Sequence, residues 1–130
     1  MLFRSGHVRG TPDVSYNGGP GSPVDVYDTF VSSGWGAFYG TSAAAPQWAG
    51  LIALSNEIRA ANSLPYLSGN NLSSSLVYSA ATDNYAGNFN DVTSGSNGTG
   101  ANTSATAGYD FVTGLGSPVA DSLVTYLATH

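Results

Sequence analysis

Cysteine is absent from this 130-residue chain, so a disulfide scaffold, a thiolate metal site and a cysteine nucleophile are all excluded. Charge is nearly as scarce: only 8% of residues are Asp, Glu, Lys or Arg, and the formal net charge is -5 with a pI near 4.3. A chain with so little positive charge lacks the electrostatic footprint of a nucleic-acid binder. No apolar run reaches the roughly 20 residues that cross a bilayer, so neither nucleic acid nor membrane is expected as a partner. The opening Met1-Leu2-Phe3-Arg4-Ser5-Gly6-His7 also lacks the apolar core of a secretory leader. Glutamate occurs once, at Glu57, and histidine only at His7 and His130, which leaves few candidates for a general base. Few carboxylates exist to be lost on protonation, which suits an acidic medium.

What the chain has is glycine, small residues and 42% hydrophobic content, enough for one domain or part of one. Short strands are predicted at Val14 to Tyr16, Val24 to Phe30 and Trp35 to Tyr39, divided by the turn Asn17-Gly18-Gly19-Pro20-Gly21-Ser22-Pro23. From Ser42 to about Ala61 the residues Trp48, Leu51, Ile52, Ser55 and Ile58 recur at helical spacing. A helix this apolar is expected to be largely buried, and Asn62-Ser63-Leu64-Pro65 ends it. A shorter helix is predicted around Leu72 to Ala80, followed by an irregular, Gly- and Ser-rich stretch from Thr82 to Ala107. Ser117 as N-cap and Pro118 at the first position open a last helix, with Val119, Leu123, Tyr126 and Leu127 as its apolar stripe. The alternation of strands and buried helices predicts an α/β fold with a mainly parallel sheet.

The run Gly40-Thr41-Ser42-Ala43-Ala44-Ala45-Pro46-Gln47-Trp48-Ala49-Gly50 places a serine where a loop gives way to a helix. Gly40 permits a tight approach, Thr41 or Ser42 is suited to capping, and Pro46 lies in the first turns. The helix N-terminus offers free N–H groups and positive potential beside the Ser42 hydroxyl, a setting for a nucleophile. For the Gly-Thr-Ser triplet alone, an ordinary N-capped core helix is the better account.

The whole run resembles the nucleophile segment of subtilisin-like serine peptidases, most closely that of the sedolisins, or serine-carboxyl peptidases. Two further segments are similar to the sedolisin pattern: Arg9-Gly10-Thr11-Pro12-Asp13-Val14-Ser15 upstream, and Phe89-Asn90-Asp91-Val92-Thr93-Ser94-Gly95 with Gly108-Tyr109-Asp110-Phe111-Val112-Thr113-Gly114-Leu115-Gly116-Ser117-Pro118 downstream. The resemblance covers residues 9–130 and leaves 1–8 as a disordered or unrelated N-terminus.

That resemblance implies the C-terminal part of a peptidase domain: a partial subtilisin-like fold with a mainly parallel sheet, a buried nucleophile helix and a C-terminal calcium-binding loop region. It implies Ser42 as nucleophile, polypeptide as substrate once the domain is complete, and secretion. It also implies one calcium ion, held by the carboxylates of Asp91 and Asp110, the backbone carbonyls of Val92, Thr106 and Gly108, and water. Thr106 stands where the family usually has glycine, and a carbonyl is still present there. Two carboxylates flanking an irregular stretch suit a hard cation, although solvated turn aspartates are the plain alternative.

The glutamate base and its aspartate partners of sedolisins lie in segments N-terminal to anything in this sequence. Glu57 is fifteen residues beyond Ser42 on one helix, about 22 Å at 1.5 Å per residue, and cannot replace that base. His7 lacks the His-Gly-Thr setting of a subtilisin histidine. Two alternatives stay open: a non-catalytic, calcium-stabilised remnant or binding module, and a fragment of a subtilisin-type enzyme. Substrate preference, oligomeric state and the partners of Ser42 have no signature in the sequence.

Overall fold

In the computed structural model, residues 4–5, 8–31, 33–69 and 75–130 are described. His7 and the start of the helix expected at Leu72 lie outside them. Six short strands form three separate antiparallel pairs: β1 (Arg4–Ser5) with β2 (Val8–Arg9), β3 (Val24–Asp28) with β4 (Gly34–Phe38), and β5 (Phe89–Asn90) with β6 (Ser117–Pro118). Among the described residues three helices accompany them: α1 (Thr41–Ala61), α2 (Val77–Asn88) and α3 (Ala120–Thr129).

The expected α/β subtilisin-like fold with a mainly parallel sheet is therefore corrected, since no parallel sheet exists among the described residues. Parallel pairing needs two strands joined by a crossover of a dozen or more residues. Here the two longest strands, five residues each, are joined by the short link 29–33 and pair with each other, Val24 opposite Phe38 and Asp28 opposite Gly34. Val14 to Tyr16 forms no strand. Its neighbour is a loop: Leu115 N–H donates to the Asp13 carbonyl at 2.8 Å and Ser15 N–H to the Gly116 carbonyl at 3.0 Å. At the same contact Gly114 has φ 64°, and a Cβ there would fall on the Asp13 backbone, so both conformation and space require glycine.

The buried nucleophile helix is corrected too. α1 buries only the stripe Leu51, Ser55 and Arg59, while Leu54 is 52% and Ile58 40% exposed. With no sheet to lie on, the helix rests one side on α3 and leaves the other outward. Ser55 Oγ donates to the Leu51 carbonyl at 3.0 Å, and Arg59 donates to the carbonyls of Pro65 at 2.7 Å and Leu127 at 2.9 Å. Arg59 thus answers one carbonyl in the segment after α1 and one in the last turn of α3, where the helix dipole favours a cation.

Elsewhere the differences are local. α2 extends through Asn88, six residues past the expected Thr82 boundary, with a break at Asn84 (φ -157°, ψ 79°) whose side chain accepts the Gly87 N–H. α3 starts at Ala120 with Val119 as N-cap, because Ser117 and Pro118 are drawn into pairing with Asn90 and Phe89. The core lies between α2, α3 and the loop before β6: Leu67, Val77, Tyr78, Ala80, Phe89, Leu115, Leu123 and Leu127 are buried, with Trp48 and Val14 packed against them.

Candidate functional site

Three sequence segments of the chain converge at the front of α1. Gly10 is buried against the Phe111 ring and the Tyr109 side chain, Asp13 and Ser15 bond to Leu115 and Gly116, and the Trp48 indole N–H donates to the Ser15 carbonyl at 2.9 Å. The serine turn is tied to the same assembly. Gly40, the N-cap, has φ 113° and ψ 174°, and its N–H donates to the Gly18 carbonyl at 2.8 Å. A side chain on Gly18 would strike the Gly40 carbonyl, so this approach requires a glycine. Gln47 Nε2 donates to the Asn17 and Ala43 carbonyls, each at 2.8 Å. The turn 17–22 is closed by Asn17 Nδ2 to the Ser22 carbonyl and by the Ser22 hydroxyl to Asn17 Oδ1.

Neither Thr41 nor Ser42 caps the helix; Gly40 does, without a side-chain bond. Both sit in the first turn, where N–H groups have no partner within the helix. Ser42 is exposed on the wall of a cleft of about 710 Å³, lined by Val24, Val26, Tyr27, Phe38, Tyr39 and Pro46 among others. Such a volume lies within the usual range of ligand pockets. Among the described residues no histidine or glutamate lines this cleft. Its one carboxylate, Asp28, accepts the Phe30 and Val31 N–H groups at 2.7 and 3.4 Å, across the hairpin link. Asp13 accepts the Tyr78 hydroxyl at 2.5 Å, and Glu57 is exposed. His130 stacks on Tyr126, with ring centroids 4.1 Å apart, and lines a different cleft at the end of α3.

The five expected metal ligands fall around one loop. Asp110 is 5% exposed and accepts the N–H groups of Thr106 (2.9 Å), Val112 (2.8 Å) and Thr113 (2.7 Å), together with the Thr113 hydroxyl. Asp91 accepts the Gly108 N–H at 2.9 Å and the Tyr85 hydroxyl at 3.1 Å. Thr106 and Gly108 are thereby pinned beside the two carboxylates. Val92, next in sequence to Asp91, lines an adjoining cleft with Ser15 and Thr113.

Electrostatics mark this loop. Burial pushes the Asp110 carboxyl up, yet the backbone donors from Thr106, Thr113 and Val112 outweigh burial and hold it below the ordinary carboxylate value. The Tyr85 hydroxyl is pushed up to about 12, first by burial, then by its bond to Asp91 and by the charges of Asp91 and Asp110. Both carboxylates therefore act on one phenol. The one described arginine side chain, Arg59, is committed to carbonyls elsewhere, and no cluster of three or more His, Cys, Asp or Glu occurs among the described residues. Two carboxylates beside a loop of backbone carbonyls match a hard cation in donor type, although both are already supplied with hydrogen-bond donors here.

Tyr85 and Arg59 carried no signal in the sequence. Tyr85 reaches Asp91 across a helix end, and the partners of Arg59 lie in other segments. Compared with protein-family models, curated proteins and solved structures, the chain gives no match.

Proposed function

We propose that this chain is the nucleophile-bearing, calcium-stabilised C-terminal part of a serine-carboxyl endopeptidase of the sedolisin kind, acting on polypeptides in an exported setting. The observation that carries the reading is the convergence of the three motif segments: Gly10 against Phe111, Asp13 and Ser15 on Leu115 and Gly116, and Trp48 on Ser15. Residues from distant parts of the sequence meet at this point, which supports a shared role for the three segments. In that reading Ser42 Oγ attacks the scissile carbonyl carbon, its proton passes to a base, and N–H groups at the start of α1 stabilise the oxyanion. The acyl-enzyme is then hydrolysed by water. Asp91, Asp110 and the carbonyls of Val92, Thr106 and Gly108 would hold one calcium ion, which supplies charge compensation and order to the loop.

A second reading is favoured by the surroundings of Ser42. With no histidine or glutamate on its cleft, the chain by itself is a calcium-stabilised binding module without catalysis. The two readings share the metal loop and differ in the base, which the enzymatic reading places in a segment this sequence does not contain.

Casein and peptide-library assays on the purified chain between about pH 3 and 8, where carboxylates and histidine titrate, should show no turnover removable by Ser42→Ala. Turnover lost in that variant would overturn the assignment of the base to another segment. Calorimetry near neutral pH should show one calcium site that Asp110→Ala abolishes. Asp110→Ala unfolds part of the loop, so Asp91→Asn, which keeps an acceptor for Gly108 and Tyr85, serves as the milder variant and should weaken binding. Absence of calcium binding by well-folded protein would remove the metal from the proposal.

A further inference from the structure

Between Asp91 and Thr106 the chain runs out to a narrow tip and returns. Ser96 bridges Ser104 in antiparallel fashion, flanked by Asn97 N–H to the Thr103 carbonyl at 3.0 Å and Ala105 N–H to the Gly95 carbonyl at 2.9 Å. The Ser96 hydroxyl bonds to the Gly98 and Thr103 carbonyls, both at 2.7 Å, and the Thr103 hydroxyl to the Gly100 carbonyl at 2.7 Å. Apolar packing contributes almost nothing here, and the brace is polar.

Two Asn-x-Ser/Thr triplets sit on this tip, Asn97-Gly98-Thr99 and Asn102-Thr103-Ser104, neither with proline at the middle position. Both asparagines and both hydroxyl residues, Thr99 and Ser104, are exposed. Asn102 has φ 61°, a left-handed turn conformation that asparagine tolerates better than most residues. The hydroxyls spent on bracing are those of Ser96 and Thr103, so the two acceptor amides and their Thr99 and Ser104 partners face outward. No residue from 94 to 104 lines the cleft at Ser42, and a bulky group on the tip would leave that cleft open.

We propose that this tip is an N-glycosylation site, with oligosaccharide on Asn97 and Asn102. The step is a transfer from a lipid-linked oligosaccharide pyrophosphate: a bond forms between the amide Nδ2 and the anomeric carbon of the sugar, and the anomeric carbon–oxygen bond of the donor breaks. The lipid pyrophosphate leaves with the electron pair and Nδ2 loses one proton. Such a glycan is bulky and solubilising, and it covers a loop tip of the small, polar kind where proteases cut first. The proposal rests on the exported reading above, since the donor is met only in the secretory route.

The test sends the full chain through a eukaryotic secretory host behind a cleavable leader, with a control acceptor triplet in a C-terminal tag. Amidase release of the glycan should convert Asn97 and Asn102 to aspartate in peptide mass maps, and Asn97→Gln with Asn102→Gln should leave the tag occupied and the tip peptide bare. Asn71-Leu72-Ser73, outside the described residues, maps to a separate peptide. A glycosylated tag with a bare tip overturns the site, and a glycan on one asparagine alone overturns the assignment of the other. Translation with microsomes gives the same readout should the folded chain not be secreted. A tip glycosylated in this host, on a chain its own cell retains, would show a competent acceptor but sink the exported reading and the native glycan with it, whereas a bare tip on an exported chain sinks the site alone.

Discussion

Asp110 and Tyr85 hold opposite ends of the pH scale. Asp110 sits below its ordinary value, so its contribution is complete above the unfolded carboxylate pKa and is lost as pH falls through the lower folded one. Acid titration of unfolding should therefore show a loss of stability below about pH 4 that is smaller in Asp110→Asn. Calcium should deepen this dependence, because protonated carboxylates are poor ligands. Tyr85 is raised to about 12, so its contribution is complete below the unfolded value near 10 and fades as pH rises through 12. Urea unfolding of the chain should lose stability between about pH 10 and 12, by less than the full shift because the hydroxyl is partly screened by solvent, and Tyr85→Phe should flatten part of that slope, Tyr126 being raised over the same range. An unchanged slope would mean that Tyr85 does not feel both carboxylates.

Arg59 decides the next level, because it fastens α1 to α3. Its guanidinium is buried and spans the Pro65 and Leu127 carbonyls. Truncating it leaves the Leu127 carbonyl unanswered in a dry place, worth about 1–3 kcal/mol, while the exposed Pro65 can turn to water, so Arg59→Ala should lower unfolding free energy by roughly 2 kcal/mol in urea. Arg59→Lys, which can reach only part of that geometry, should recover some of the loss. Local patterns made the elements readable: Val24 to Phe30 and Trp35 to Tyr39 anticipated β3 and β4 within two residues, and the period of Leu51, Ser55 and Ile58 anticipated α1. Partners were not readable. Nothing in Asp13-Val14-Ser15 says that its backbone bonds go to Leu115 and Gly116, a hundred positions away in the chain. Nor does apolar periodicity say which face of α1 finds a neighbour. At the site, the motif residues announced themselves by type, while Tyr85 and Arg59 act through distances that sequence does not encode.

At the scale of the molecule, the apolar surface is lopsided. Val26, Tyr27, Phe30, Val31, Trp35, Phe38 and Tyr39 are all large, hydrophobic and exposed, with Phe30 at 96%, and they lie on one hairpin whose strands pair only with each other among the described residues. Exposed apolar patches and open strand edges both invite association. Size-exclusion chromatography should show concentration-dependent self-association that Phe30→Ser with Trp35→Ser reduces without lowering the melting temperature. A monodisperse chain at high concentration would show that the hairpin edges are already protected.

The indole bond from Trp48 to the Ser15 carbonyl has a use of its own. Only two tryptophans occur in the chain, and they sit in contrasting places: Trp48 is half-buried and hydrogen-bonded to the 12–18 segment, while Trp35 is 73% exposed on the hairpin. Nature has thus installed two optical probes with separate views. Replacing Trp35 with phenylalanine leaves a single emitter whose colour and quenching follow the docking of residues 12–18 on α1, so undocking of that segment should redden the emission before the helices melt.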